Sequence, residues 1–273
     1  MFHGEHFLWG RTPRAQGMGR TVAVVNQKGG VGKSTTAVNL GACLALLGKR
    51  VLLVDTDPQG NATTGLGIDK RTVENDTYAI LLGEIAARDA IIATDVENLW
   101  LIPATPNLAG AEVELVSALA RETRLRQALA DVTEQYDYVF VDCPPSLGLL
   151  TINALVAADQ MIIPIQAEFY ALEGLSQLTN IVQRVKAALN PKLEILGVLV
   201  TMYDGRTRLA VEVVDEVSRF FPEHVFKTQI PRNIRLSEAP SFGKPIVLFD
   251  VKSRGAQAYL DLAKEVAALE TVS

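Results

Sequence analysis

The chain has 273 residues, 48% of them hydrophobic, which suits one sizeable α/β domain with a full core, or two small ones. A formal net charge of −5 excludes a polycation, so any contact with nucleic acid must come from a local basic patch. The two cysteines, Cys43 and Cys143, lack a C-x-x-C spacing and are too few for a secreted disulfide scaffold, and no run of about 18 apolar residues marks a membrane span. A reducing cytoplasm is the expected setting.

From the N-terminus, Met1 to Gly17 mixes His, Gly, Arg and Pro without a period and lacks the apolar core of a secretory signal. Residues 1–18 are expected to be a disordered extension, or an artefact of the assigned start, ahead of a single domain over 19–273, with Met18 as the biological start. An arm with a role of its own is the alternative.

An apolar run, Thr21 to Val25, then leads into Asn26-Gln27-Lys28-Gly29-Gly30-Val31-Gly32-Lys33-Ser34-Thr35, and a helical pattern from Thr36 to Leu47 leads out. Strand, glycine-rich turn and helix start are the layout of a phosphate-binding loop. Gly29, Gly30 and Gly32 let the backbone curl around an anion, and the helix start aims free N–H groups at it. Lys33 places a point charge near β- and γ-phosphates, and the Ser34 hydroxyl is positioned for Mg²⁺. The standard pattern, G-x-x-x-x-G-K-S/T, requires a glycine where this chain has Gln27, and Lys28 follows it, so the loop carries two lysines.

Arg50 to Asp55 reads as a buried parallel strand, and Asp55-Thr56-Asp57-Pro58-Gln59-Gly60-Asn61 as the polar loop past its end, where open α/β sheets bind ligands. For Asp55 a turn or helix cap is a credible reading. Ile68 to Ala93 reads as a loop with one or two short helices, Asn98 to Pro103 as the third strand, and Leu108 to Asp131 as helical, with Leu115, Leu119, Leu125 and Leu129 on its apolar face. Tyr138 to Asp142 has the form of a Walker-B strand, whose carboxylate supports Mg²⁺ directly or through water. Gln160 to Ile165 and Leu193 to Thr201 read as buried strands around a helix over Leu172 to Leu189, and Phe226 to Ile230 as a last strand. Gly255 to Thr271 reads as an amphipathic helix. Strands alternating with helices throughout predict a doubly wound, mostly parallel sheet in a single α/β domain.

The two-lysine loop resembles the deviant phosphate loop of the ParA/MinD ATPases, and V-D-T-D-P-Q-G-N-A-T and D-C-P-P-S-L-G resemble that family's switch and Walker-B segments. I-P-R-N-I-R-L-S-E-A-P-S-F-G-K-P resembles the chromosomal, Soj-type ParA proteins. The resemblance covers nearly everything from Met18 onward. It implies an ATP hydrolase that is slow and partner-stimulated, with ATP and Mg²⁺ as ligands, that dimerises on ATP and binds double-stranded DNA without sequence choice. It implies a ParB-type centromere-binding partner, a role in partition of chromosome or plasmid, and a cytoplasmic, nucleoid-associated location.

By the same resemblance Lys28, Lys33 and Asp57 are the catalytic candidates, Lys28 reaching the partner's nucleotide and Asp57 positioning water. Lys28 to Thr35, with Val31 and Thr35 included, and Pro231 and Asn233 at the adenine, are the nucleotide candidates. Ser34, Asp57 and Asp142 are the metal candidates, and Arg206 and Arg235 the DNA contacts. Cys143 reads as a packed core thiol, against an iron–sulfur ligand as in the nitrogenase iron proteins. A MinD-like membrane-positioning ATPase and a metal-cofactor carrier or reductase are the other classes. Asp261, Glu265 and Glu270 against Lys264 make the C-terminal helix a poor match for anionic lipid, so no membrane partner is expected and core docking is the expectation.

Overall fold

The computed structural model describes residues 19–168 and 171–271; the expected N-terminal extension lies outside them. The apolar run before the glycine-rich turn is β1 (Arg20–Val24), and the helical pattern after it is α1 (Lys33–Leu46). β2 (Val51–Asp55) follows, then two short helices, α2 (Asn61–Gly65) and α3 (Thr77–Leu82). Strands β3 (Ile92–Ala93) and β4 (Leu99–Ile102) precede α4 (Leu108–Glu114) and α5 (Arg124–Leu129). The chain then alternates through β5 (Tyr138–Asp142), α6 (Leu149–Ala157), β6 (Gln160–Gln166), α7 (Ala171–Ala188), β7 (Glu194–Thr201) and α8 (Arg208–Phe220). Short helices α9 (Ile234–Glu238) and α10 (Ile246–Phe249) lead to the C-terminal α11 (Arg254–Thr271).

The strands form one sheet in the order β3-β4-β2-β5-β1-β6-β7, parallel except at the β3–β4 edge. Side chains alternate between its faces. Ala23, Val25, Leu52 and Val54 pack on one side with α6, and Val22, Val24, Leu53 and Phe140 on the other with α1 and α11. Both faces are covered, so the strands are apolar throughout rather than alternating with polar residues.

Register decides where the chemistry falls. Asp142 pairs with Val24 on one side and Asp55 on the other, which brings the ends of β1, β2 and β5 to one edge. β1 lies between β5 and β6, and the connections on its two sides run to opposite halves of the sheet. The crevice at its C-terminal end is thus the topological switch point where open α/β sheets take ligands.

Three expectations are corrected. Leu108 to Asp131 is not one helix: it breaks into α4, two 3₁₀ turns and α5, with Ala120 in a left-handed conformation at φ 53° and Leu119 88% exposed rather than packed. Phe226 to Ile230 is not a strand. Phe226 N–H and Ile230 N–H still bond to Val198 and Val200 of β7, but the Lys227 and Thr228 amides between them donate to the two Glu265 oxygens at 2.7 and 3.0 Å, which interrupts the ladder. Ile92–Ala93, expected in a loop or helix, is the antiparallel edge strand β3; two residues are too few to show a period.

The C-terminal helix docks on the core as expected. Tyr259, Leu262, Ala263 and Val266 are buried, and the Tyr259 hydroxyl bonds to that of Thr36 on α1 at 3.2 Å. Among the described residues no helix is long and apolar enough to cross a membrane.

Candidate functional site: a phosphate-loop cleft

The loop after β1 is shaped by glycine and held by its neighbours. Gly30 and Gly32 have φ of 75° and 88°, the left-handed region where a side chain is strained. No side chain caps the start of α1, so its first amides stay available at the loop. Asn26 accepts the Lys28 amide at 3.0 Å and donates to the Pro164 carbonyl at 2.7 Å. Thr201, at the end of β7, brings its hydroxyl to 2.8 Å from the Val31 carbonyl and 3.0 Å from that of Ile165. Sequence reasoning gave neither Asn26 nor Thr201 a role in holding the loop. The only signal for them is their position at strand ends, which any α/β domain offers many times.

Both lysines are occupied. Lys33 is 6% exposed, and its Nζ donates to the Lys28 carbonyl at 3.0 Å. Burial lowers its pKa, and the charges of Asp142, Cys143 and Asp57 pull it back up. Lys28 pairs with Glu168 at 3.0 Å in a half-exposed ion pair. Such pairs contribute only about 0–1 kcal/mol, so Lys28 can exchange this partner for another at small cost.

The carboxylates differ sharply in how they are satisfied. Asp55 is fully buried and accepts from the Thr63 amide at 2.8 Å, the Thr63 hydroxyl at 2.7 Å and the Asp57 amide at 3.1 Å. Burial still pushes its pKa up to about 6. Asp57 is 4% exposed and accepts the Gln59 amide at 2.9 Å. Asp142 is fully buried, and neither of its carboxylate oxygens has a hydrogen-bond partner of ordinary geometry among the described residues. Burial, then the charge of Asp55, push its pKa well up; the nearby Ser34 hydroxyl acts weakly in the other direction. Cys143 is buried and its thiol is pushed up by burial, as a packed core cysteine should be.

A cavity of about 490 Å³ opens on the loop, lined by Gly29, Gly30, Gly32, Lys33, Ser34 and Thr35 with Asp57. Met202, Ala239, Pro240 and Lys244 also line it; the last three lie in the Soj-like segment, but none of the four was a candidate. Pro231 and Asn233 do not line it. Pro231 bridges to Tyr203, and the Asn233 side chain caps α9 by accepting the Arg235 amide at 2.8 Å. Val31 is buried in the loop, and Lys28 and Asp142 also lie off the cavity wall. A separate cavity of about 260 Å³, lined in part by Leu81, Arg124 and Val132, contains none of the candidate residues.

Arg206 and Arg235 are exposed in two separate segments, and each meets acids of its own chain. Arg206 forms two bonds to Asp204, at 2.8 and 2.6 Å, which hold the Asp204 carboxyl at about 2. Arg235 pairs with Glu238 at 2.9 Å and Asp250 at 3.3 Å and lies over the Phe249 ring.

A loop of this form at the switch point of a mostly parallel sheet, with Lys33, Ser34 and a Walker-B aspartate, defines a P-loop nucleotide-binding domain. A family profile described as AAA domain matches residues 19–195. The chain is 63% identical over 251 residues to the sporulation initiation inhibitor protein Soj of Bacillus subtilis, covering 92% of this chain and 99% of that protein. It is 53% identical to the chromosome partitioning protein ParA of Myxococcus xanthus, covering 93% and 90%. Among solved structures it matches cobyrinic acid a,c-diamide synthase from Mycobacterium smegmatis with bound ATP analog and magnesium, with a TM-score of 0.80, 40% identity, and coverage of 90% and 93%. The chain belongs to the ParA/Soj family of ATPases.

Proposed function

We propose that this chain is a partition ATPase: ATP drives it into a dimer that binds DNA without sequence choice, and a ParB-type partner stimulates hydrolysis and resets it. The observation that carries the nucleotide part is the cleft, which gathers Lys33, Ser34, Thr35 and Asp57 beside an unsatisfied Asp142. Two fully buried carboxylate oxygens without a partner are costly alone. A divalent cation would satisfy them, so Asp142 and the nearby Ser34 hydroxyl fit as the residues that would hold Mg²⁺. Among the described residues no group of three or more His, Cys, Asp or Glu is set to hold a metal without a nucleotide. When bound, that ion supplies charge stabilisation at the phosphates.

The protein's own residues then take distinct roles. Lys33 exchanges the Lys28 carbonyl for a phosphate oxygen, a charge-assisted bond in a buried site. Asp57, at the cleft and held by the Gln59 amide, positions the attacking water. Lys28 leaves Glu168 to contact the nucleotide of a second copy. Likeness to the Soj and ParA proteins supports the partition role and the ParB-type partner. A MinD-like membrane role is disfavoured, because the apolar face of α11 is already buried against α1.

The test separates binding from turnover. Asp57→Ala should still bind ATP, accumulate as a stable dimer in light scattering, and lose phosphate release by about 100-fold or more, the size of a general-base contribution. A variant that stays monomeric, or hydrolyses ATP at the native rate, contradicts the assignment.

A further inference from the structure

We propose that Lys244 is a nucleotide-binding lysine, its ammonium contacting a phosphate of the nucleotide held by the glycine-rich loop. The inference rests on the nucleotide-binding reading above and adds a residue that lies outside the phosphate-loop motif. In the sequence Lys244 belongs to a basic stretch, Lys227 to Arg254, most of whose side chains read as a solvated face. The structure puts it elsewhere: Lys244 lines the same cavity as Lys33, Ser34 and Thr35.

Its backbone is fixed on both sides. Gly243 immediately before it has φ 62° and packs against Gly67, itself at φ 81°. A Cβ on Gly243 would lie 2.6 Å from the Gly67 Cα, and one on Gly67 would lie 3.0 Å from the Gly243 carbonyl oxygen, so this contact demands glycine at both positions. Two residues after Lys244, the Ile246 amide donates to Asn39 Oδ1 at 2.7 Å in the core. Asn39 sits on α1 and also holds the Thr35 carbonyl at 2.8 Å, so one side chain ties the Lys244 segment to the loop that receives phosphate. Gly67 lies just beyond α2, on the segment that follows Asp57. Lys244 is therefore carried between two anchors, one at Asn39 on the cleft wall and one at Gly67, two residues beyond the cleft residue Gly65.

Charge favours the same role. Asp55, Asp57 and Asp142 crowd the end of the loop, and the charge of Lys33 acts on Asp142 and Asp57. A polyanion entering there needs further positive charge. Lys70 also lines the cleft, with its Nζ bonded to the Gln59 carbonyl at 2.5 Å. Lys244 is exposed and forms no ion pair among the described residues.

The experiment is calorimetric titration of the full chain with Mg·ADP and with a non-hydrolysable Mg·ATP analogue. Native protein, Lys244→Ala, Lys244→Arg and, as a control, Lys33→Ala are compared, and DNA binding of each is measured at saturating nucleotide. Lys244→Ala should weaken both nucleotides by about 10-fold or more, the effect of one charge-assisted bond. Lys244→Arg should recover most of that, and DNA binding at saturating nucleotide should be unchanged. Native nucleotide affinity in Lys244→Ala overturns the proposal, whether or not DNA binding falls, and so does equal loss in the alanine and arginine variants. If Lys33→Ala also binds nucleotide normally, the phosphate-loop reading itself has failed and the proposal falls with it.

Discussion

Asp142 is the residue on which structure and chemistry press hardest. Burial raises its pKa and that of Asp55, the latter to about 6. An unfolded aspartate titrates near about 3.9. Between these values the folded chain without nucleotide or magnesium binds more protons than the unfolded one, so these two groups add stability as pH falls from 7 toward 5 and remove it as pH rises. Asp142→Asn removes the buried charge. It should raise the stability of the nucleotide-free protein by about 1 kcal/mol at pH 7.5, flatten the gain on acidification, and abolish the extra thermal stability that magnesium adds to the nucleotide complex. Thermal melts at pH 5.5 and 7.5, with and without Mg·ADP, check this; a destabilised variant with a normal magnesium response would contradict it. The placement of the phosphate loop, Asp57 and Asp142 at one edge of the sheet was legible in the sequence because each belongs to a short run at a strand end. Asn26, Thr201 and Lys244 were not, since each acts on a segment more than about a hundred residues away or through the fold of a turn.

The C-terminal helix shows what periodicity can and cannot deliver. Its apolar spacing gave both its bounds and its docked face, because Tyr259, Leu262 and Val266 recur at helical intervals on a long element. The same reasoning failed over Leu108 to Asp131, where Leu119 fits the helical spacing yet points into solvent beside the left-handed Ala120. It failed again at Phe226 to Ile230, whose fate is set by Glu265, nearly forty positions later, taking the Lys227 and Thr228 amides. Because α11 closes one face of the sheet against α1, Leu262→Ala should destabilise the protein by about 2–5 kcal/mol in urea unfolding. A loss below about 1 kcal/mol would mean that the helix contributes little to the core and is free for another surface.

For the molecule as a whole, the question is how an acidic chain of net charge −5 would hold the DNA proposed for it. Arg206 and Arg235 each arrive already paired with carboxylates of their own chain, so a single copy presents little free positive charge at either position. Exposed pairs of this kind are weak, and a DNA phosphate can displace the acid. The proposed dimer would present each arginine twice, which would let two weak grips act together. The doubly wound fold was legible from strand–helix alternation, but this masking was not, because Asp250 reaches Arg235 only after the chain has turned through α10. The most direct measurement is fluorescence anisotropy of unrelated labelled duplexes titrated with the protein in ATP and in ADP at several salt concentrations, beside Arg206→Glu and Arg235→Glu. The account predicts binding with ATP and little with ADP, an equal loss on all duplexes in both variants, and a log–log salt slope reduced by roughly 0.9 for each phosphate contact removed. Equal binding in ATP and ADP, or native binding by both variants while they still dimerise, would contradict it.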